Sequence, residues 1–145
     1  MFKHILLPTD GSPLSQAAAQ KGIRFAKEIS AKVTGLCVAP EGHYAIYEGE
    51  IPGGFQDKAL AEFKAQAKIQ LAGIVKAAEE AGVSCDTVLE TSDQPYESII
   101  KVAEQKGCDL IMMASHGRRG VGALVLGSET QKVLTHSKVP VLVYR

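Results

Sequence analysis

The chain has no surplus of charge: 16 lysines and arginines face 16 aspartates and glutamates in 145 residues. Sequence-independent binding to DNA rests on excess positive charge, so no nucleic-acid partner is expected. A polybasic membrane anchor is also missing. No apolar run approaches the ~18 residues of a membrane span. The N-terminal stretch "MFKHILLPTDG" has too short an apolar run for a signal peptide. Cysteine is scarce. Cys37, Cys85 and Cys108 are an odd number without CxxC or metal-finger spacing. They read as reduced core thiols in a cytoplasmic protein.

What is present suits one globular domain spanning residues 1–145, with 46% hydrophobic content and a full core. Short β-type runs alternate with longer helical ones. "KHILLPT" (3–9) is a compact apolar strand. Ser12 and Pro13 then provide an N-cap and a first helical position, with Leu14, Ala18, Phe25 and Ile29 at helical spacing. "KVTGLCVA" (32–39) is the second strand, and residues 40–56 form an unusually long loop, functional or mobile. A long helix is expected from about Asp57 to Ala81. Its stripe is Leu60, Phe63, Ala67, Leu71, Ile74, Ala78 and Ala81, and Gly82 stands at the C-cap. Strand 84–91, a helix opened by Pro95 and ended by Gly107, strand 108–115, a short helix capped by Ser128, and strand 139–145 complete the chain.

This alternation predicts an α/β fold: a Rossmann-like three-layer α/β/α sandwich with a five-stranded parallel sheet in the order 3-2-1-4-5. Strands 1 and 4 then flank the switch point, where ligands bind at the carboxyl ends of strands. The loops leaving those ends are "PTDGS" and "ASHGRRGVGALVLGS".

Both loops have suitable chemistry for a phosphate compound. Gly117 can turn the chain away from strand 4, and Gly127, Ser128 and Glu129 start a helix whose N–H groups attract anions. Arg118 and Arg119 could reach outer phosphates. The alternative is an ordinary surface loop with a Gly-Ser cap. Asp10 could accept hydrogen bonds from ribose hydroxyls or hold a metal-bound water, and could equally cap the first helix. His116 has no nucleophile or acid fixed to it by sequence and fits a positioning role.

Known phosphate signatures do not match. No lysine follows Gly127-Ser128, as the Walker pattern requires, and Val125 occupies the third glycine position of GxGxxG. The pyrophosphatase SGGxDS and adenylyl-transfer HxGH patterns are absent from the first loop. A response regulator would need an acidic cluster near strand 1; "PTDG" has one acid.

"ILLPTDGS", "CDLIMMASHG", the spaced Gly-Ser pair and the terminal "VPVLVYR" resemble the universal stress protein family, in its small single-domain form, over the whole chain. Nucleotide-binding members of that family carry G-x2-G-x9-G-[ST]. Here the spacing is kept through Gly117 and Gly127-Ser128, with Ala114 in place of the first glycine. The resemblance implies ATP binding, with Mg²⁺ carried through the phosphates. Pro8, Thr9 and Asp10 would line the adenosine side, with Asp10 on ribose. Val38 would offer backbone hydrogen bonds to the adenine edge. Met113 and Ala114 would contact base and ribose, and Gly117, Gly127, Ser128 and Glu129 would hold the phosphates. It also implies a homodimer through the last strand, which agrees with an apolar edge strand.

Together these readings describe a cytoplasmic, ATP-binding sensor or regulator of the stress response, not an enzyme, though slow hydrolysis is compatible with it. No resident metal ligand and no catalytic residue is assigned. The competing readings are an ATPase or a phosphoryl or adenylyl transferase on the same fold, and a dimeric interaction protein that binds no nucleotide. A separate protein partner is left open.

Overall fold

In a computed structural model, the structure describes residues 1–41, 53–117 and 126–145, the side chains of 53–56 excepted. The strands are β1 (His4–Pro8), β2 (Lys32–Ala39), β3 (Cys85–Thr91), β4 (Leu110–Ala114) and β5 (Val141–Tyr144). The helices are α1 (Pro13–Glu28), α2 (Gly53–Ala81), α3 (Pro95–Lys106) and α4 (Ser128–His136). All strand pairings are parallel, and the sheet order is β3-β2-β1-β4-β5, as expected. Among the described residues no helix is long and apolar enough to cross a membrane.

Strand alternation divides the core between the two faces of the sheet. Ile5, Leu7, Val33 and Cys37 meet Ile23 and Ala26 of α1 and Leu71, Ile74 and Ala78 of α2. Leu6, Leu36, Ile111 and Met113 meet Ile99 and Val102 of α3 and Val133 of α4. Leu6, Leu36 and Ile111 are completely buried. Each such side chain contributes about 1.5–3 kcal/mol relative to exposure.

The helix ends follow local chemistry. Ser12 caps α1, its hydroxyl accepting the Ser15 N–H at 3.2 Å, and Pro13 opens the helix. Gly82 and Gly107 adopt left-handed φ values of 73° and 70° at the ends of α2 and α3.

The strands other than β2 are shorter at their ends than expected, and two helix starts differ from expectation. Helix α2 starts at Gly53, ahead of Asp57. Gly53 and Gly54 are weak helix formers, so propensity alone put the start too late. Gly127 is the N-cap of α4, with φ −60° and ψ 150°, and Ser128 is already helical. Its hydroxyl therefore does not cap the helix.

The apolar stripe of α2 holds only in part. Ala67, Leu71, Ile74 and Ala78 are buried, but Phe63 is 48% exposed. The crossover from β2 to β3 starts α2 at the carboxyl end of the sheet. Residues 61–66 are exposed, and burial against the sheet begins at Ala67.

Candidate functional site at the carboxyl ends of β1, β2 and β4

The first loop is an interlocked turn. The Thr9 N–H donates to the Leu36 carbonyl at 2.8 Å, the last rung between β1 and β2. The Thr9 hydroxyl is buried, bonds to Ser15 Oγ at 2.9 Å and accepts the Gly11 N–H at 3.2 Å. Asp10 Oδ1 accepts the Ser12 N–H at 2.9 Å. One carboxylate oxygen thus supports the turn into α1, while Oδ2 faces the second loop. A Cβ built on Gly117 would collide with that oxygen. A larger residue at 117 would require the Asp10 carboxylate to shift.

The second loop is pinned where it leaves β4. Met113 and Ala114 are buried strand residues. Among the described residues, Ser30 alone has a positive φ without being glycine, so Ala114 needs no glycine conformation. Its carbonyl accepts the Thr130 hydroxyl at 2.9 Å. The Ser115 N–H donates to the Tyr144 carbonyl at 2.7 Å, and the Ser115 carbonyl accepts the Gly127 N–H at 2.7 Å. A Cβ on Gly127 would sit 3.0 Å from His116 Cα. Half-buried His116 places Nδ1 3.1 Å from Ser115 Oγ.

These bonds redistribute the donors expected from the sequence. The N–H of Gly127 is committed to Ser115, so Gly127 shapes the cradle without donating into it. The Gln131 N–H closes the first turn of α4 on the Gly127 carbonyl at 3.0 Å. The N–H groups of Ser128, Glu129 and Thr130 precede that bond and have no acceptor within the helix. Among the described residues they are the donors of this helix start that the helix itself leaves without a partner.

Glu129 has a second role that the sequence did not disclose. Its Oε2 accepts the Tyr96 N–H at 2.9 Å, capping α3 from a different helix. Gln94 makes no side-chain cap there. Lys132 Nζ lies 3.4 Å from Glu129 Oε1 and 5.4 Å from the Tyr96 ring centroid. The Glu129 carboxylate is thereby held at α3, and its backbone N–H remains at the start of α4. A clue was the absence of any capping residue immediately before Pro95.

A cavity of about 490 Å³ opens between the carboxyl ends of β1 and β2 and the first half of α2. Small-molecule sites are commonly of this size. Thr9, Asp10 and Val38 line one side, and Glu62, Phe63 and Gln66 the other. Leu36 accepts from Thr9, so strand alternation aims the N–H and C=O of Val38 the same way, past the end of the β1 ladder. Pro8, half-buried, ends β1 and is not among the residues that line the cavity.

The structure therefore joins Thr9, Asp10 and Val38 in a cavity and brings Gly117 against Asp10. Gly127 and Ser128 lie beside the exit of β4. Arg118 and Arg119 lie outside the described residues. Among the described residues no cluster of three or more His, Cys, Asp or Glu could hold a metal.

The thiols are not obvious reaction centres. Burial, reinforced by Asp86 and Asp109, pushes Cys108 up to about 11. Burial also raises Cys85.

The sequence model of the Universal stress protein family matches residues 1–145. The chain belongs to the universal stress protein family. It is 32% identical over 145 residues to universal stress protein MJ0531 of Methanocaldococcus jannaschii, covering 100% of this chain and 83% of that one. The solved structure of MJ0577 superimposes with a TM-score of 0.82 at 31% identity, covering 99% of this chain and 95% of that one. A universal stress protein from Archaeoglobus fulgidus, solved in complex with dAMP, has a TM-score of 0.68 at 16% identity, covering 100% and 98%. At that identity the likeness is one of universal stress protein fold.

Proposed function

We propose that this protein binds an adenine nucleotide, ATP, across the carboxyl ends of β1 and β4, and acts as a cytoplasmic nucleotide-responsive regulator of the stress response. One observation carries the reading: the N–H groups of Ser128, Glu129 and Thr130, which have no acceptor within α4, start beside the exit of β4, Gly117 of that exit packs against Asp10, and Asp10 in turn lines a ligand-sized cavity. Base and ribose would occupy the cavity, with Asp10 accepting from ribose hydroxyls and the Val38 backbone meeting the base edge. The phosphates would take the helix start, where partial positive charge favours anions. The bound dAMP of the A. fulgidus protein supports an adenine nucleotide as the class of ligand. The Ala114 backbone is compatible with the site, because it needs no left-handed conformation. Mg²⁺ would travel on the phosphates and neutralise their charge.

The reading is of a binding protein. Helix N–H groups stabilise phosphate in ground state and transition state alike, and uniform binding does not accelerate hydrolysis. Calorimetric titration with ATP and Mg²⁺ should give saturable one-site binding. No heat of binding up to millimolar nucleotide would sink the reading and favour a nucleotide-free interaction protein.

A homodimer through β5 belongs to the same proposal. The Tyr144 and Pro140 carbonyls bond to β4, so the N–H and C=O of Val141 and Val143 face the open edge. Leu142 is 39% exposed beside them. Val143→Pro deletes an outward donor and leaves the β4 ladder intact. Light scattering should find the wild type dimeric at tens of micromolar and this variant monomeric; a monomeric wild type would refute the dimer.

A further inference from the structure

We propose that Phe63 is the base-stacking residue of the nucleotide site, so that the first turns of α2 form the wall that selects a planar base. This rests on the nucleotide reading above and adds a specificity determinant to it. Phe63 occupies the apolar stripe of α2 one turn before Ala67. Ala67 is 7% exposed and Phe63 is 48% exposed. The ring is not left against bulk solvent on a remote face: it borders the same cavity as Thr9, Asp10 and Val38.

The two walls have complementary chemistry. Past the end of the β1 ladder, Val38 offers one backbone donor and one acceptor in line, a pattern that reads the edge of a heterocycle. Phe63 offers a π-face, which reads the plane of a ring and is indifferent to its edge. Glu62 and Gln66 supply a polar rim on the same face of α2. Gln70, one turn further along, is engaged through Oε1 with the Cys37 thiol at 3.4 Å, which ties the helix to β2 at the inner end of the cavity. An aliphatic or purely ionic ligand would leave the exposed ring unused. A planar base would cover it, while the sugar extends toward Asp10 and the phosphates toward Ser128.

The chain contains no tryptophan, so Phe63→Trp creates a single fluorescent reporter at the proposed contact. Half-exposed Phe63 contributes little to the core, and both variants below should fold. Addition of ATP with Mg²⁺ should change the emission of Phe63→Trp, with the same midpoint as calorimetry. Tripolyphosphate with Mg²⁺, which has no base, should leave the emission unchanged. Phe63→Ala should weaken ATP binding about tenfold, the scale of losing one base–aromatic stack, and leave tripolyphosphate binding unaltered. If wild-type protein binds ATP by calorimetry while Phe63→Ala binds equally tightly and the tryptophan emission is static, the inference is overturned and the nucleotide reading stands. If wild-type protein does not bind ATP at all, both are overturned.

Discussion

The two ends of the sheet are built on opposite principles. At the amino ends, buried His4 places Nε2 2.7 Å from Thr34 Oγ1, and the Thr34 hydroxyl donates to Asp86 Oδ1. Thr34 has one proton and gives it to Asp86, so His4 is the donor in the first bond. Lys106 Nζ completes the row 2.8 Å from Asp86 Oδ2. Asp109 accepts the N–H groups of Lys3 and His4 at 2.8 Å and 3.0 Å. Burial alone would raise both carboxyl groups. Hydrogen bonds from Lys106 and Thr34 hold Asp86 down, and backbone N–H groups of His4 and Lys3 hold Asp109 down. At the carboxyl ends, by contrast, the strands stop at different heights, a cavity opens, and α4 starts with N–H groups that have no acceptor within the helix. The amino end has satisfied its polar groups with its own atoms. The carboxyl end has those donors and a cavity, at the end where ligands enter sheets of this topology.

The contrast can be broken most severely at Gly127. A valine there would drive its side chain into the backbone of His116 and shift the start of α4 away from the exit of β4. Losing two charge-assisted hydrogen bonds at roughly 1.5–3 kcal/mol each should weaken nucleotide binding more than a hundredfold. The clash should also cost about 1–3 kcal/mol of stability, the usual scale of overpacking. Calorimetry on Gly127→Val with a native circular dichroism spectrum checks this, and unchanged affinity would show that the phosphates lie elsewhere.

A smaller effect separates the ends by pH. Burial, helped by Lys32, holds folded His4 below its ordinary value of 6.5. As pH falls below 6.5, the unfolded chain takes up a proton that the folded chain refuses. The His4 contribution to stability is therefore full above that value and is lost as pH drops toward the folded one. Urea melts at pH 7.5 and 5.5 should show a larger loss for wild type than for His4→Gln. Equal losses would mean that the amino-end network does not constrain this histidine.

The frame was legible because it rests on local periodicity. Alternating strand and helix patterns, Ser12-Pro13, Gly82 and Gly107 all act within a few residues of themselves. The candidate site was legible in position through the paired loops and the Ala114, Gly117, Gly127 and Ser128 spacing. What escaped depends on register and on distance through space. His4, Thr34 and Asp86 lie on three strands and meet only when the sheet is assembled. The Gly127 N–H reads as a phosphate donor until Ser115 is found 2.7 Å away. Glu129 reads as a helix-start residue until Tyr96 of another helix is seen against it. Phe63 reads as core because helical spacing cannot show where burial against the sheet begins.

On the reading proposed above, the carboxyl end of the sheet alone holds nucleotide. A two-dimensional NMR titration of the ¹⁵N-labelled protein with ATP and Mg²⁺ tests it residue by residue. Saturable shifts are expected in the amides of Thr9, Asp10, Val38, Gly117 and Ser128 to Thr130, with those of His4, Thr34, Asp86 and Asp109 unmoved. No saturable shift at the carboxyl end, or shifts gathered around the His4–Asp86 network, would contradict that reading.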